Sequence, residues 1–301
     1  MVRLRRLTGA EDAEVFAKLE FFNPGFSVKD RIGVGMIERA EREGLLEPGG
    51  TIIEPTAGNT GVGLALAGVQ KGYRVILCVP ENFSTEKREI MQALGGEVVL
   101  TPGDGGIRKA IEKAEELAAK IPDSYIPQQF RNVFNSESHY ETTGPEIWEQ
   151  MEGRIDAFVA GAGSGGTFTG VARYLRERIP DLYCAIVEPE GSVLGGGQAG
   201  PHDVEGIGAS FFPPVLDMSL ANEVITIFDE PAYAVTARLA KEEGILGGSS
   251  AGANVAAALQ VAQRLGRGKR VVTIIPDAAE RYMSKGIFSK WRKETPADPA
   301  V

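Results

Sequence analysis

The sequence has little of what several functional classes require. Among its 301 residues are two cysteines, two histidines and two tryptophans. Cys78 and Cys184 each lie in a short apolar run, so we expect buried strand residues rather than a disulfide framework. No clustered histidine and cysteine spacing suggests a metal site. A net charge of −9 argues against nucleic acid or an anionic membrane as the main partner. No signal peptide and no apolar stretch of ~18 residues are evident, so a cytoplasmic protein is expected.

Glycine, in contrast, is abundant. The chain has 38 glycines, well above the ~7% average, and many of them cluster in loops. Between these loops, apolar runs of strand length alternate with helical patterns, which predicts α/β layers around mainly parallel sheets with ligands at the carboxyl ends of strands. The segment 121–135 breaks the pattern and is expected to cross between domains, and the Pro/Ala-rich tail Glu294–Val301 is expected to fray. Strands are predicted at 15–19, 51–53, 74–79, 97–100, 157–160, 185–187, 224–227 and 271–275, and helices at 32–42, 60–70, 85–94, 106–120, 138–151, 166–178, 232–242 and 252–265.

A glycine-rich loop at Gly161–Thr167 joins a predicted strand to a helix. Its glycines expose consecutive N–H groups, the helix dipole favours an anion, and Ser164 and Thr167 add hydroxyl donors, so the loop is predicted to bind phosphate. The same letters also match G-x-G-x-x-G, with Glu188 ending the next strand about 20 residues later. A NAD-binding dehydrogenase that uses Gly161–Gly166 is therefore a competing interpretation.

Lys29 follows the turn Asn23-Pro24-Gly25 and falls in the first turn of a predicted helix that Ser27 can cap. The helix dipole disfavours a cation at this end. With burial, this placement predicts an amine that loses its proton easily and can form an imine. The alternative is a solvated residue at a helix start.

Two further loops offer polar contacts near helix starts. The amides of Thr56-Ala57-Gly58-Asn59-Thr60 can hold a carboxylate, and Asn59 can donate to a phenolate oxygen, although a plain N-cap at Asn59 or Thr60 is the alternative. Ser250 can donate to a pyridine nitrogen or simply cap its helix. A neutral hydroxyl there makes the ring a weaker electron sink than an aspartate would, which favours elimination and addition at the β-carbon.

These residues resemble the fold type II pyridoxal phosphate (PLP) enzymes, specifically the cysteine synthase/cystathionine β-synthase family. The resemblance runs from Val2 to about Phe288 and implies a tryptophan synthase β-like α/β fold with two domains of mainly parallel twisted sheets flanked by helices. It implies a smaller mobile domain at 32–133 and a larger, phosphate-binding domain at 1–31 and 134–301. The matching segments are Asn23–Arg31, Glu54–Gly61, Gln129–Phe130, Thr142–Glu146, Gly161–Gly170, Glu205–Gly208, Gly248–Gly252 and Pro276–Asp277.

The resemblance also implies a role for each candidate. Lys29 would carry PLP and shuttle the α-proton, Asn59 would contact the 3′-oxygen, and Ser250 would contact the ring nitrogen. The phosphate would lie on Gly163, Ser164, Gly165, Gly166 and Thr167, and the substrate carboxylate on Thr56, Ala57, Gly58, Asn59 and Thr60 together with Gln129.

The implied reaction is β-replacement on O-acetylserine or serine with a sulfur nucleophile, a lyase or transferase step of transsulfuration and amino-acid biosynthesis. Val187–Ser192, Glu205 and Ala57 make the chain more similar to cystathionine β-synthases, which use homocysteine, than to cysteine synthases, which use sulfide. The resemblance also implies a homodimer and leaves open whether a serine acetyltransferase docks at the site.

The chain departs from the family pattern at three places. Phe26 replaces a usual glycine, which costs ~1–2 kcal/mol if the position needs a positive φ. Ala57 replaces a common serine and removes one hydroxyl from the carboxylate loop. Met1–Leu4 matches the middle of the family's opening segment, which leaves the dimer contacts made by that segment open. Asp277, after the last strand, is expected to cap the next helix rather than orient Ser250.

Overall fold

The computed structural model describes residues 1–56 and 58–289, so Ala57 and the tail Glu294–Val301 lie outside the described residues. The described chain contains two sheets with helices on their faces. Its strands are β1 Val2–Leu4, β2 Glu14–Leu19, β3 Thr51–Pro55, β4 Arg74–Pro80, β5 Glu97–Thr101, β6 Ser124–Tyr125, β7 Ala157–Gly161, β8 Tyr183–Pro189, β9 Glu223–Ile227 and β10 Arg270–Ile275. Its α-helices are α1 Lys29–Arg42, α2 Asn59–Gln70, α3 Thr85–Ala93, α4 Gly106–Ala118, α5 Phe134–Ser138, α6 Gly144–Gln150, α7 Gly166–Arg176, α8 Asp229–Arg238 and α9 Ser249–Leu265.

The larger sheet has the order β1-β2-β10-β7-β8-β9, and every neighbouring pair is parallel except β1 with β2. Both faces of its centre are buried. Along β8, for example, Ala185 and Val187 enter one apolar cluster while Cys184 and Ile186 enter the other. This alternation follows from the two-residue period of a strand, and burial of both faces is typical of parallel sheets. Helix α9 packs on one face and α7 on the other.

The smaller sheet has the order β5-β4-β3-β6 and is wholly parallel. Helix α2 packs on one face and α4 on the other, while α1 packs against α2. All strands of this sheet lie between residues 51 and 125, and those of the larger sheet lie outside that span. The division into domains at 32–133 stays a prediction, because two sheets do not by themselves define independently moving bodies.

The α/β fold class predicted from sequence is confirmed, with differences in detail. Strands β1 and β6 were not predicted; each is only two or three residues long. The helix predicted at 138–151 is not one continuous α-helix. Helix α5 ends at Ser138, a π-helix follows at His139–Thr143, and α6 begins at Gly144. Pro145 lies in the first turn of α6, where its missing N–H interrupts a continuous α-helical ladder.

A second π-helix, Leu239–Glu243, replaces the end of the helix predicted at 232–242. Across residues 1–56 and 58–289, no helix has the length and apolar character needed to span a bilayer.

Candidate active site

Lys29 is the first residue of α1, and its turn is fastened to the carboxyl end of β10. The Val28 N–H donates to the Pro276 carbonyl at 2.8 Å, and Ser27 and Asp277 form an isolated antiparallel bridge. The Ser27 hydroxyl accepts from the Lys29 N–H at 3.2 Å, while Val28 is the N-cap residue of α1 and makes no side-chain cap bond. The site therefore gains its lysine from a loop held by the end of a central strand.

A single cavity contains both Lys29 and the glycine loop. Its lining includes Lys29, Gly161, Gly163, Ser164, Gly165, Gly166 and Thr167, with Gly206, Ile207 and Asn254 on another side. Burial lowers the pKa of Lys29 to about 8, and the nearby Asp277 carboxylate partly opposes this shift. An appreciable fraction of this amine is therefore neutral near neutral pH, as a nucleophilic or basic lysine requires.

The backbone of the glycine loop depends on the absence of side chains. Gly165 has φ +86°, in the left-handed region, and a Cβ on it would lie 2.5 Å from Leu216 Cβ. A Cβ on Gly163 would lie 2.6 Å from the Gly206 carbonyl oxygen. The loop ends in α7, whose amino end presents free N–H groups and a positive dipole to the same cavity.

Two side chains that no sequence motif identified contact the hydroxyls of the glycine loop. Asn135 Nδ2 donates to Ser164 Oγ at 2.9 Å and to the Gln129 carbonyl at 2.7 Å. His139 Nε2 lies 3.1 Å from Thr167 Oγ1. Burial, with the positive charges of Lys29 and Arg31, holds the pKa of His139 well below its usual range, so the ring is neutral. Asn135 thus links the glycine loop to the segment that carries Gln129.

The loop after β3 forms a second cluster. Thr56 Oγ1 accepts from the Gly58 and Gly61 N–H groups, each at 3.2 Å, and Thr60 Oγ1 donates to Gln129 Oε1 at 2.7 Å. The structure thereby brings Gln129 to the loop with which the family resemblance associated it. Asn59 does not line the cavity of Lys29.

The Asn59 amide is already engaged. Its Nδ2 donates to Asp277 Oδ2 at 2.6 Å, and its Oδ1 accepts from the Arg281 guanidinium. Arg281 also donates to the Gly25 carbonyl, so it connects the Asn59 loop with the lysine turn.

The expectation that Asp277 caps the next helix is wrong. The 3₁₀-helix Ala279–Lys285 has Ala278 at its N-cap and no side-chain cap bond. Asp277 instead accepts from Asn59 and from the Tyr282 hydroxyl, and its second oxygen, Oδ1, has no partner among the described residues. Burial raises the pKa of Asp277 and that of Tyr282. Asp277 therefore contacts the next helix through the Tyr282 side chain rather than through its first backbone N–H groups, and its other partner, Asn59, is distant in sequence.

Glu54, at the end of β3, supports the Gln129 segment. Its two carboxylate oxygens accept from the Gln128 N–H at 2.8 Å and the Gln129 N–H at 3.2 Å. Gln128 has φ +54°, which is uncommon for a residue other than glycine and is held here by the carboxylate. Burial raises the pKa of Glu54 to about 7, although the two backbone donors oppose the shift. The sequence signal that could have identified Glu54 was an acidic residue within the otherwise apolar segment of β3.

Ser250 lies in the first turn of α9 and is buried, and its hydroxyl has no partner within residues 1–56 and 58–289. It faces the Gly206 segment, since a Cβ on Gly206 would lie 3.9 Å from Ser250 Oγ. A buried hydroxyl without a partner fits a ligand acceptor such as a ring nitrogen.

A family model described as "Pyridoxal-phosphate dependent enzyme" matches residues 1–277. The chain belongs to this family. A cysteine synthase of Helicobacter pylori is 51% identical over 277 residues, which cover 92% of this chain and 90% of the relative. These matches confirm the family resemblance, and the protein is an enzyme whose cofactor is PLP.

Two solved structures are also similar. An O-acetylserine dependent cystathionine β-synthase from Helicobacter pylori has a TM-score of 0.90 and 49% identity, with 95% of this chain and 94% of that chain covered. A hydrogen sulfide-producing enzyme from Fusobacterium nucleatum has a TM-score of 0.89 and 40% identity, with 93% and 95% covered.

The residues present fit PLP. A buried amine of lowered pKa and a glycine loop at a helix amino end share one cavity and match an aldehyde and a phosphate. The buried Ser250 hydroxyl lies outside that lining but close to Gly206, which belongs to it, and matches a ring nitrogen. The interpretation of Gly161–Gly166 as a NAD site is therefore set aside.

Proposed function

We propose that the enzyme catalyses β-replacement on O-acetylserine or serine with homocysteine as the sulfur nucleophile, a cystathionine β-synthase reaction. The observation that carries the β-replacement is Ser250, a buried neutral hydroxyl where an enzyme that relies on a strong electron sink would place a carboxylate. The similar H. pylori structure, whose donor is O-acetylserine, supports the choice of substrate.

The bound cofactor would supply electron withdrawal at the substrate α-carbon. Lys29 would carry the cofactor, and its Nζ would then take the α-proton and later return it. Gly163, Ser164, Gly165, Gly166 and Thr167 would hold the phosphate, Asn59 the 3′-oxygen and Ser250 the ring nitrogen.

The substrate carboxylate would lie on the amides of the loop after β3. Thr56, Gly58, Asn59 and Thr60 would contribute to that loop, and Gln129 would close it through its bond with Thr60. Ala57, outside the described residues, keeps its predicted place in the loop. For Asn59 to contact a cofactor oxygen, its amide would exchange Asp277 for the ligand.

Movement of the part 32–133 would open the site. Several polar contacts join that part to the rest. Asn59 bonds to both Asp277 and Arg281, Lys87 Nζ donates to Glu205 Oε2 at 3.1 Å, and Glu86 accepts from Ser284. Opening would break these contacts, and a bound carboxylate would favour the closed form.

A homodimer is expected by analogy with the family, a cytoplasmic location from the lack of an evident signal peptide or apolar span, and the absence of nucleic acid and membrane partners from the net charge of −9. Light scattering and cell fractionation would test the first two. Docking of a serine acetyltransferase would be tested by adding that enzyme to the protein and measuring co-elution.

Parallel assays would decide the acceptor. O-acetylserine and serine are each supplied with homocysteine or with sulfide, and kcat/KM is compared for the four pairs. A higher value with homocysteine supports the proposal. A higher value with sulfide would establish the cysteine synthase alternative, which the name of the H. pylori relative favours.

A second experiment tests the lysine. Borohydride reduction followed by peptide mass analysis should place the reduced cofactor on Lys29, and Lys29→Ala should lose both this adduct and turnover. Lys71→Ala is the matched control, because Lys71 forms an ion pair with Glu41 at 2.9 Å and is not among the residues that line the cavity. Retention of normal turnover by Lys29→Ala would refute the assignment.

A further inference from the structure

His139 is a buried histidine with a hydroxyl on each ring nitrogen. It opens the π-helix His139–Thr143. Nδ1 lies 2.8 Å from Thr143 Oγ1, and Nε2 lies 3.1 Å from Thr167 Oγ1 in the glycine loop. The ring can approach α7 this closely because Gly170 has no side chain; a Cβ there would lie 2.7 Å from His139 Cβ.

A neutral imidazole has one N–H donor and one acceptor nitrogen, so two arrangements are possible. In the first, Thr143 donates to Nδ1, and Nε2–H donates to Thr167. In the second, Nδ1–H donates to Thr143, and Thr167 spends its only hydroxyl proton on Nε2. Only the first arrangement leaves the Thr167 proton free for an anion in the cavity.

The surroundings of Thr143 distinguish the two. Thr143 is fully buried, and within the described part of the chain its hydroxyl has no hydrogen-bond partner other than His139 Nδ1. The second arrangement would therefore leave a buried O–H without an acceptor, which is costly. The first arrangement satisfies that O–H and both ring nitrogens.

On the basis of the proposed phosphate-binding role of Thr167, we propose that His139 is a positioning residue, fixed by Thr143 as the Nε2–H tautomer, which directs the Thr167 hydroxyl proton to the cofactor phosphate. His139 itself does not line the cavity and acts only through Thr167.

The tautomer can be observed directly in the cofactor-loaded enzyme. The chain has only two histidines, and His202 Nδ1 lies 2.8 Å from the Val204 carbonyl oxygen, which can only accept. His202 is therefore an internal reference for the Nδ1–H form. In protein labelled with ¹⁵N-histidine, the two rings should give opposite tautomer patterns, and His202→Gln would assign the signals. An Nδ1–H pattern for His139 would overturn the proposal, whatever the activity.

Variants test the consequence for the cofactor. Thr143→Val keeps the shape of the side chain and removes the proton that fixes the ring. Loss of one hydrogen bond to the charged phosphate is expected to weaken PLP binding by about tenfold and to shift the ³¹P resonance of the bound phosphate. Thr142→Val is the matched control, because Thr142 lies in the same π-helix and donates to the Ser138 carbonyl at 2.5 Å instead of to the ring. Its PLP affinity and ³¹P resonance should match the wild type.

The double variant separates this proposal from the proposed function. If Thr167→Val alone weakens PLP binding, adding Thr143→Val should produce no further loss, because the hydroxyl to be directed is already gone. Independent, multiplicative losses would overturn the positioning role while leaving the phosphate loop intact. An unchanged PLP affinity and ³¹P resonance in Thr167→Val would instead remove Thr167 from the phosphate site, and both proposals for this residue would fail.

Discussion

The buried carboxylate of Glu54 should make stability fall as pH rises. Its pKa is about 7 in the folded protein against an ordinary value of 4.5. The folded state therefore binds the proton more tightly than the unfolded state, and the contribution to stability is complete below pH 4.5 and lost as pH rises through 7. Each pKa unit corresponds to ~1.4 kcal/mol, so this group alone should lower the free energy of unfolding by roughly 2–3 kcal/mol between pH 5 and pH 8.

Glu54→Gln isolates this effect from other titrating groups. The amide resembles the protonated acid in shape and has no charge to desolvate, so the wild type should lose roughly 2–3 kcal/mol relative to the variant from pH 5 to pH 8. Urea unfolding with saturating PLP at both pH values measures this difference.

Glu89→Gln makes the same chemical change at an exposed position on α3. Its free energy of unfolding should change between pH 5 and pH 8 as that of the wild type does, to within about 0.5 kcal/mol. If the free energies of unfolding of the wild type and of Glu54→Gln changed in parallel with pH, the assigned cost of burying this carboxylate would be refuted.

Three further predictions concern backbone strain, close packing and thiol reactivity. Phe26 has φ +56° and a largely exposed ring, so Phe26→Gly should raise the free energy of unfolding by about 0.5–1 kcal/mol. Phe22→Gly is the control: it removes another exposed ring and should lower the free energy of unfolding. Denaturant unfolding measures both variants. Gly165→Ala combines φ +86° with the close approach to Leu216 and should lose about 2–4 kcal/mol by the same measurement, with weaker PLP binding; wild-type stability would contradict the geometry. Burial raises the pKa of Cys78 and Cys184 to about 11, so a thiol reagent at pH 8 should label neither until urea unfolds the chain, and rapid labelling of the native enzyme would show that they are accessible.

Much of the fold could be predicted because it depends on local patterns. The eight predicted strands all lie within observed strands. A short apolar run bounded by glycines and helical segments is compatible with few structures other than a strand. Phe26 replaces a usual glycine, and its observed φ of +56° meets the condition under which that replacement was expected to cost stability. The helix predicted at 138–151 fails where Pro145 interrupts the ladder, although proline was visible in the sequence.

The partners of the site residues could not be predicted in the same way. Asp277 was assigned to a neighbouring helix, yet it accepts from Asn59, 218 residues away. Asn135 and His139 lie outside the segments that carry the family resemblance, and Glu54 begins one of them without an assigned role; each acts by holding another residue in place. Such contacts depend on which loops the sheets bring together.

The amino-acid sequence by itself determined the order of strands and helices, the lysine turn and the glycine loop, because these follow from local backbone preferences and from the period of apolar residues. Only the tertiary structure decided that Lys29 and the glycine loop share a cavity, that its amine has a pKa of about 8, and that Glu54 and Asp277 are buried with raised pKa values. Proton affinity depends on desolvation and on charges from distant segments, and these exist only once the chain has packed.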